Sequence, residues 1–194
     1  KLYDKYFPGW ANEPELLVRA ELIPREEIWT AHQQAKESLM NFINHSYNKK
    51  FSTDVFTIGF ARRATGYKRM TFLFSDLARL RMLNKKYKLQ IIFAGKAHPS
   101  DTPGKQMIQQ VHSYISQMKN EIEMVYLTDY DMETAKQLIP GVDIWLNNPL
   151  RPLEASGTSG MKASYNGVMN FSVLDGWWIE GCIEGVTGWS IGPN

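Results

Sequence analysis

Five short apolar runs, separated by segments of helical period, restrict this chain more than any other feature. The runs are Val55 to Phe60, Leu89 to Ala94, Ile122 to Leu127, Val142 to Leu146 and Val168 to Val173. Each is too short for a stable helix and nearly continuous in apolar residues, as expected of strands buried on both faces. The intervening segments, Arg69 to Leu83, Gly104 to Met118, Met132 to Ile139 and Ser159 to Tyr165, carry apolar residues at helical spacing. Strands alternating with helices predict an α/β fold with a parallel sheet and right-handed crossovers. The first fifty residues read differently. Ala20 to Tyr47 is helical in period, and Pro24 followed by Arg25, Glu26 and Glu27 is a helix start, since proline suits the first turn and acids favour its dipole. The expected organisation is a helical N-terminal part over 1–50 followed by a parallel α/β part over 51–194.

Length and charge narrow the function classes. At roughly 100–200 residues per domain, 194 residues make one domain or little more. A formal net charge of +2 gives no broad basic field for nucleic acid. A lone Cys182 excludes a disulfide framework and a cysteine-based zinc site. His32, His45 and His112 lack metal-ligand spacing, so no metal is expected. No apolar run approaches the roughly 18 residues of a membrane span, and no basic-then-apolar start marks a signal peptide. The chain begins with Lys1 and is expected to be a piece of something longer.

In an open parallel sheet, ligands bind beyond the carboxyl ends of the strands. Two of the segments there stand out. Arg62 to Arg69 holds four cations, Arg62, Arg63, Lys68 and Arg69, close to a helix start. Arginine grips a phosphate bidentately and lysine adds a point charge, while free backbone N–H groups favour the same anion. Further along, Glu154-Ala155-Ser156-Gly157-Thr158-Ser159-Gly160-Met161-Lys162 is rich in small residues that let the backbone close around an anion. A lysine in a largely apolar setting loses its proton readily and can form an imine with a carbonyl cofactor. Taken alone, the first segment also reads as a solvated basic helix start and the second as an ordinary loop with a surface lysine. His98, after the second strand, reads as an acid or base or as a surface histidine. Trp177, Trp178 and Trp189 suit sugar stacking or core packing.

Taken together, 57–69 (TIGFARRATGYKR), 91–99 (IIFAGKAHP), 126–149 and 151–178 (RPLEASGTSGMKASYNGVMNFSVLDGWW) resemble the α-glucan (glycogen, maltodextrin and starch) phosphorylases, in their shorter bacterial and archaeal branch. The resemblance implies the second of two Rossmann-like domains in a glycosyltransferase-B architecture. Helices would cover both faces of the sheet, and the active site would lie in the cleft between the domains. It also implies pyridoxal phosphate as cofactor, with Lys162 similar to the lysine that holds it as an imine. Arg63 and Lys68 match the pair that binds substrate phosphate, and Arg62 a position near the cofactor phosphate. Thr158 and Ser159 match the backbone that holds that phosphate, although the animal enzymes carry Gly-Asn where this chain has Ser159-Gly160. Tyr130 matches a tyrosine near the cofactor. Tyr67 matches a residue lining the glucosyl site, and Glu154, Ser156 and Gly157 the loop that hydrogen-bonds sugar hydroxyls.

The implied reaction moves a terminal glucosyl unit of an α-1,4-glucan to inorganic phosphate, giving α-glucose 1-phosphate with retention. Implied partners are the glucan (glycogen or maltodextrin), inorganic phosphate or glucose 1-phosphate, and the N-terminal domain of the same parent chain. Neither nucleic acid nor membrane is implied, and the setting is cytoplasmic. The 194 residues alone would be inactive, because one wall of the cleft is missing. A glycogen-synthase-like nucleotide-sugar glycosyltransferase, or a cofactor-binding domain without catalysis, remains an alternative at this stage.

Overall fold

In the computed structural model, residues 2–192 are described. Six strands form one all-parallel sheet in the order β3-β2-β1-β4-β5-β6. The strands are β1 (Phe56–Ala61), β2 (Leu89–Ala94), β3 (Glu123–Leu127), β4 (Ile144–Asn147), β5 (Met169–Val173) and β6 (Gly188–Ile191). The helices are α1 (Leu2–Tyr6), α2 (Arg25–Tyr47), α3 (Leu77–Lys86), α4 (Thr102–Gln117), α5 (Met132–Leu138), α6 (Thr158–Tyr165) and α7 (Trp178–Gly181). This is a Rossmann-like sheet, and its strand order reverses between β1 and β4. That reversal opens a crevice beyond the carboxyl ends of β1 and β4. No described helix is long and apolar enough to cross a membrane.

Two apolar layers hold the sheet. On one face Leu39, Met40 and Ile43 of α2 and Leu138 of α5 pack with Ile92, Val125 and Trp145. On the other, Leu80 of α3 and Val111 of α4 pack with Phe60, Ile91, Phe93 and Met124. The N-terminal helix α2 therefore belongs to the same core as the sheet. It starts after Pro24, carries Glu26 and Glu27 in its first turn, and ends on Asn48 in the left-handed conformation.

One charged group lies within this core at the amino ends of the strands. Asp143, just before β4, accepts the Thr57 N–H of β1 at 2.6 Å and the Lys36 ammonium at 2.7 Å, and meets His32 Nε2 at 2.9 Å. Lys36 is 3% exposed and also donates to the Val55 carbonyl at 2.9 Å. Asp143 N–H in turn donates to the Thr57 carbonyl at 3.0 Å. The β1–β4 ladder itself pairs only Ile58 with Ile144 and Gly59 with Trp145. The carboxylate thus extends the pairing between the two strands that flank the crevice and ties α2 to both.

The structure departs from the periodicity in two places. The helical pattern from Arg69 to Leu83 is not one helix: short 3-10 turns at Gly66–Lys68 and Phe72–Phe74 precede α3. Arg69 sits in the left-handed region (φ 49°), which no α-helix accommodates, and Asp76 caps a fresh start by accepting Arg79 N–H at 2.8 Å. Strand β6 was not among the predicted strands. Thr187 to Ile191 is mixed in character, and it becomes a strand through its pairing with β5, Phe171 opposite Trp189.

Candidate functional site

The residues that leave β1 and β4 build the crevice. Arg62 follows β1 directly and is buried, as are Lys68 on the next turn and Glu154 in the loop between β4 and α6. Both cations bond the same carboxylate oxygen, Oε2 of Glu154. Arg62 also donates to Ser159 Oγ at 3.1 Å, and Trp145 Nε1 donates to that hydroxyl at 3.2 Å. Burial pulls the Arg62 guanidinium below its ordinary value, while the Glu154 charge acts in the opposite sense. Two cations against one carboxylate leave the cluster with a net positive charge in a water-poor place, where charge counts for more than in bulk water.

The backbone around this cluster is held from several strands. Asp175, just beyond β5, accepts the Glu154 N–H at 2.9 Å through Oδ2 and the Gly176 N–H at 3.0 Å through Oδ1. Trp177 N–H donates to the Ser156 carbonyl at 2.8 Å. On the other side, Arg69 donates to the Asn148 and Pro149 carbonyls at 2.8 and 3.1 Å, and Asn148 Nδ2 donates back to the Arg69 carbonyl at 3.2 Å. Leu150 N–H donates to the Tyr67 carbonyl at 2.7 Å. These bonds hold Arg69 in its unusual backbone conformation and place Tyr67 and Lys68 against the loop. The Lys68 ammonium lies 4.4 Å from the centre of the Tyr67 ring.

Helix α6 opens onto the same crevice. Helices α3, α4 and α5 begin with aspartate caps, Asp76, Asp101 and Asp131, each accepting a backbone N–H. In contrast, α6 begins on Gly157 (φ 89°), and no side chain caps it. A left-handed residue suits glycine, and leaving the cap bare frees the N–H groups of Thr158 and Ser159 for an external anion, while Gly160 N–H donates to the Gly157 carbonyl at 3.0 Å. Lys162, one turn into α6, is exposed. Among the described residues, no hydrogen bond or ion pair engages its amine.

An open cleft of about 550 Å³ adjoins the cluster, lined by Ala61, Arg62, Arg63, Gly95, Lys96, Ala97, His98 and Tyr130. Arg63 is exposed on its rim, and among the described residues no hydrogen bond or ion pair engages its guanidinium. Burial pushes the Tyr130 hydroxyl up to about 12, so it stays protonated at neutral pH.

The structure therefore joins Arg62, Lys68, Glu154 and Ser159 by direct bonds, stacks Tyr67 on Lys68, and places Arg63 and Tyr130 in the adjoining cleft. Ser156, Gly157 and Thr158 follow Glu154 into α6, with Thr158 exposed. Lys162 shares α6 with Thr158 and Ser159, and among the described residues no hydrogen bond or ion pair joins its amine to the other candidates. The sequence reading missed Asp175, Asn148 and the role of Arg69. An Asp-Gly pair directly after a strand was the available signal for Asp175, whereas nothing local pointed from Arg69 to a loop eighty residues away.

The chain is a doubly wound α/β domain with a cationic crevice at its switch point, beside a helix whose N-terminus no side chain caps among the described residues, an arrangement whose charge and free N–H groups favour an anion. The particular family follows from comparison: the chain belongs to the carbohydrate phosphorylases, whose family model matches residues 18–186. It is 44% identical to a glycogen phosphorylase of Aquifex aeolicus over 99% of this chain and 31% of that protein. It is 44% identical to a maltodextrin phosphorylase of Thermococcus litoralis over 100% of this chain and 25% of that one. A glycogen phosphorylase of Mycobacterium tuberculosis is 48% identical over 93% of this chain and 23% of its own length. The chain thus spans about a quarter to a third of the length of these relatives.

Proposed function

We propose that this chain is the cofactor- and phosphate-binding wall of an α-1,4-glucan phosphorylase. Its parent would transfer a terminal glucosyl unit to inorganic phosphate and release α-glucose 1-phosphate with retention. The observation that carries this reading is the Arg62–Glu154–Lys68 cluster at the switch-point crevice, beside the bare N-terminus of α6.

The residues present fit pyridoxal phosphate. The uncapped N–H groups at Thr158 and Ser159 suit its phosphate, Tyr130 offers a half-buried ring in the cleft beside Arg62, and the amine of Lys162, exposed and unpaired among the described residues, is open to covalent attachment. When bound, the cofactor supplies a phosphate that can exchange a proton with the substrate phosphate. The chain's own groups do the rest. Arg63, on the rim of the cleft and unpaired among the described residues, offers a cation to the incoming phosphate. Arg62 and Lys68 fix Glu154 through Oε2, which leaves Oε1 to accept from a sugar hydroxyl. Ser156 and Gly157 follow Glu154 along the same wall.

Two measurements test this. In the full-length parent, Arg63→Ala should raise the KM for phosphate by about tenfold or more, since a charge-assisted contact contributes about 1.5–3 kcal/mol. The cofactor content of that variant should stay at the wild-type level. A wild-type KM and turnover would remove the phosphate role. The 194 residues by themselves should release no glucose 1-phosphate from maltodextrin, phosphate and added pyridoxal phosphate, because orientation and charge stabilisation need groups from both walls. Turnover near the common enzyme value of about 10 per second would show that one wall suffices.

A further inference from the structure

We propose that Lys96 and His98, on the loop leaving β2, form a second anion-binding arm of the cleft that grips phosphate oxygens opposite Arg63. This rests on the phosphorylase reading and extends it to residues outside the cationic and glycine-rich segments.

The first argument is charge. Two of the crevice cations, Arg62 and Lys68, are committed to Glu154, so the cluster retains one surplus positive charge. The proposed chemistry brings two phosphates together, each carrying about −1.5 to −2 near neutral pH. Arg63 alone does not balance that load. Lys96 lines the same cleft as Arg62 and Arg63 and is exposed. Among the described residues, no hydrogen bond or ion pair engages its ammonium. The Asp131 carboxylate, which caps α5 by accepting Thr134 N–H at 2.8 Å, feels the Lys96 charge electrostatically but forms no ion pair with it among the described residues.

The second argument is geometry. Gly95 lies at φ +146°, and a side chain there would collide with the Arg62 carbonyl. This close approach sets the β2 loop directly against the β1 loop. Ala64 N–H donates to the Lys96 carbonyl at 3.0 Å, and the buried Tyr126 hydroxyl donates to the Gly95 carbonyl at 3.1 Å. Lys96 therefore departs from a fixed backbone and not from a loose turn.

The third argument is the His98 ring. Its Nδ1 accepts the Ser100 N–H at 3.2 Å and lies 2.6 Å from the Ser100 hydroxyl. With Nδ1 occupied as acceptor, the neutral ring carries its proton on Nε2. That N–H has no partner among the described residues, so the cleft gains a donor of defined identity beside the Lys96 charge. Cation plus oriented N–H is a phosphate-oxygen receptor; neither group offers a specific match to an apolar ligand.

The test uses the full-length parent, loaded with cofactor, and isothermal titration with inorganic phosphate. Lys96→Ala should weaken phosphate binding about tenfold, Lys96→Arg should restore most of it, and His98→Ala should cost about threefold. The Lys96→Ala deficit should shrink as salt is raised. Lys88→Ala, an equal charge change at the amino end of β2, should leave the isotherm unchanged. Cofactor-free parent titrated with pyridoxal phosphate separates the sources: a Lys96→Ala loss confined to that titration assigns the arm to the cofactor's phosphate, and a loss confined to inorganic phosphate assigns it to substrate. Wild-type isotherms for Lys96→Ala in both titrations would overturn the inference. A wild-type parent that yields no borohydride-fixed adduct on Lys162 and binds no phosphate would overturn the phosphorylase reading and this inference with it.

Discussion

Lys162→Ala in the full-length parent is expected to abolish the borohydride-fixed pyridoxal adduct and to take turnover down by several orders of magnitude. The position is suited to attachment in a way that most lysines are not. It stands one turn inside α6, whose first N–H groups are left bare by Gly157, so an attached cofactor's phosphate has donors within the same helix. Its amine is exposed and unpaired among the described residues, so removing it breaks no structural bond. Replacing an exposed lysine by alanine on a helical face trims the butylammonium side chain to a methyl but changes stability by only about half a kcal/mol, and alanine favours helix. Loss of activity in a variant with wild-type thermal unfolding is therefore the expected signature. Mass spectrometry of the reduced protein, digested to peptides, reads the result. An adduct that persists on another residue would refute the assignment of Lys162.

Asp143→Ala is expected to produce the largest loss of stability from any single side chain discussed here, about 3–5 kcal/mol, because it leaves the buried Lys36 ammonium without its counter-charge. It also strips an acceptor from Thr57 N–H, at the short β1–β4 ladder. Asp143→Asn keeps an acceptor for Thr57 but not the charge, and should fall between alanine and wild type. Differential scanning calorimetry gives the order. Burial by itself would raise the Asp143 carboxyl, but hydrogen bonds from His32, Lys36 and Thr57 outweigh it and hold the group below its ordinary value. A depressed folded-state value means the contribution is fully present above the unfolded aspartate value near 3.9 and is lost as pH falls through the folded one. Wild type should thus lose part of its advantage over Asp143→Ala in that acid range, and nowhere near neutrality. Equal unfolding temperatures at pH 7 would show that the network contributes little.

Both predictions concern residues that one-dimensional reading treats unequally. Lys162 stands out locally because the loop before it is small and glycine-rich, but that composition equally describes an ordinary loop with a surface lysine, and its proposed role comes from the family resemblance. Asp143 does not stand out. It lies within the predicted strand segment Val142 to Leu146, and its partners are 107 and 111 residues away in α2. The same contrast holds across the fold. Strands β1 to β5 and helix α4 follow from runs and periods that a window of a few residues contains. Strand β6 depends on β5 for its ladder, so its own composition says little.

The amino-acid sequence by itself determined the alternation of buried strands and helices, the start of α2 at Pro24, and the two cation- and glycine-rich segments at the carboxyl ends of strands. Those are consequences of local sterics, capping and the period at which apolar residues recur. The tertiary structure decided which of those cations are spent and which are free. Arg62 and Lys68 converge on one oxygen of Glu154, from 92 and 86 residues away, and Arg63 beside them remains unpaired among the described residues. It also decided that Arg69 leaves the helical path, because its side chain and carbonyl bond the loop after β4, and that Asp175 holds Glu154 in place. Charge pairing of this kind depends on distances of a few ångströms between residues whose separation along the chain carries no periodic signal. Only the strand order, set by packing two apolar layers onto one parallel sheet, brings them to the same crevice.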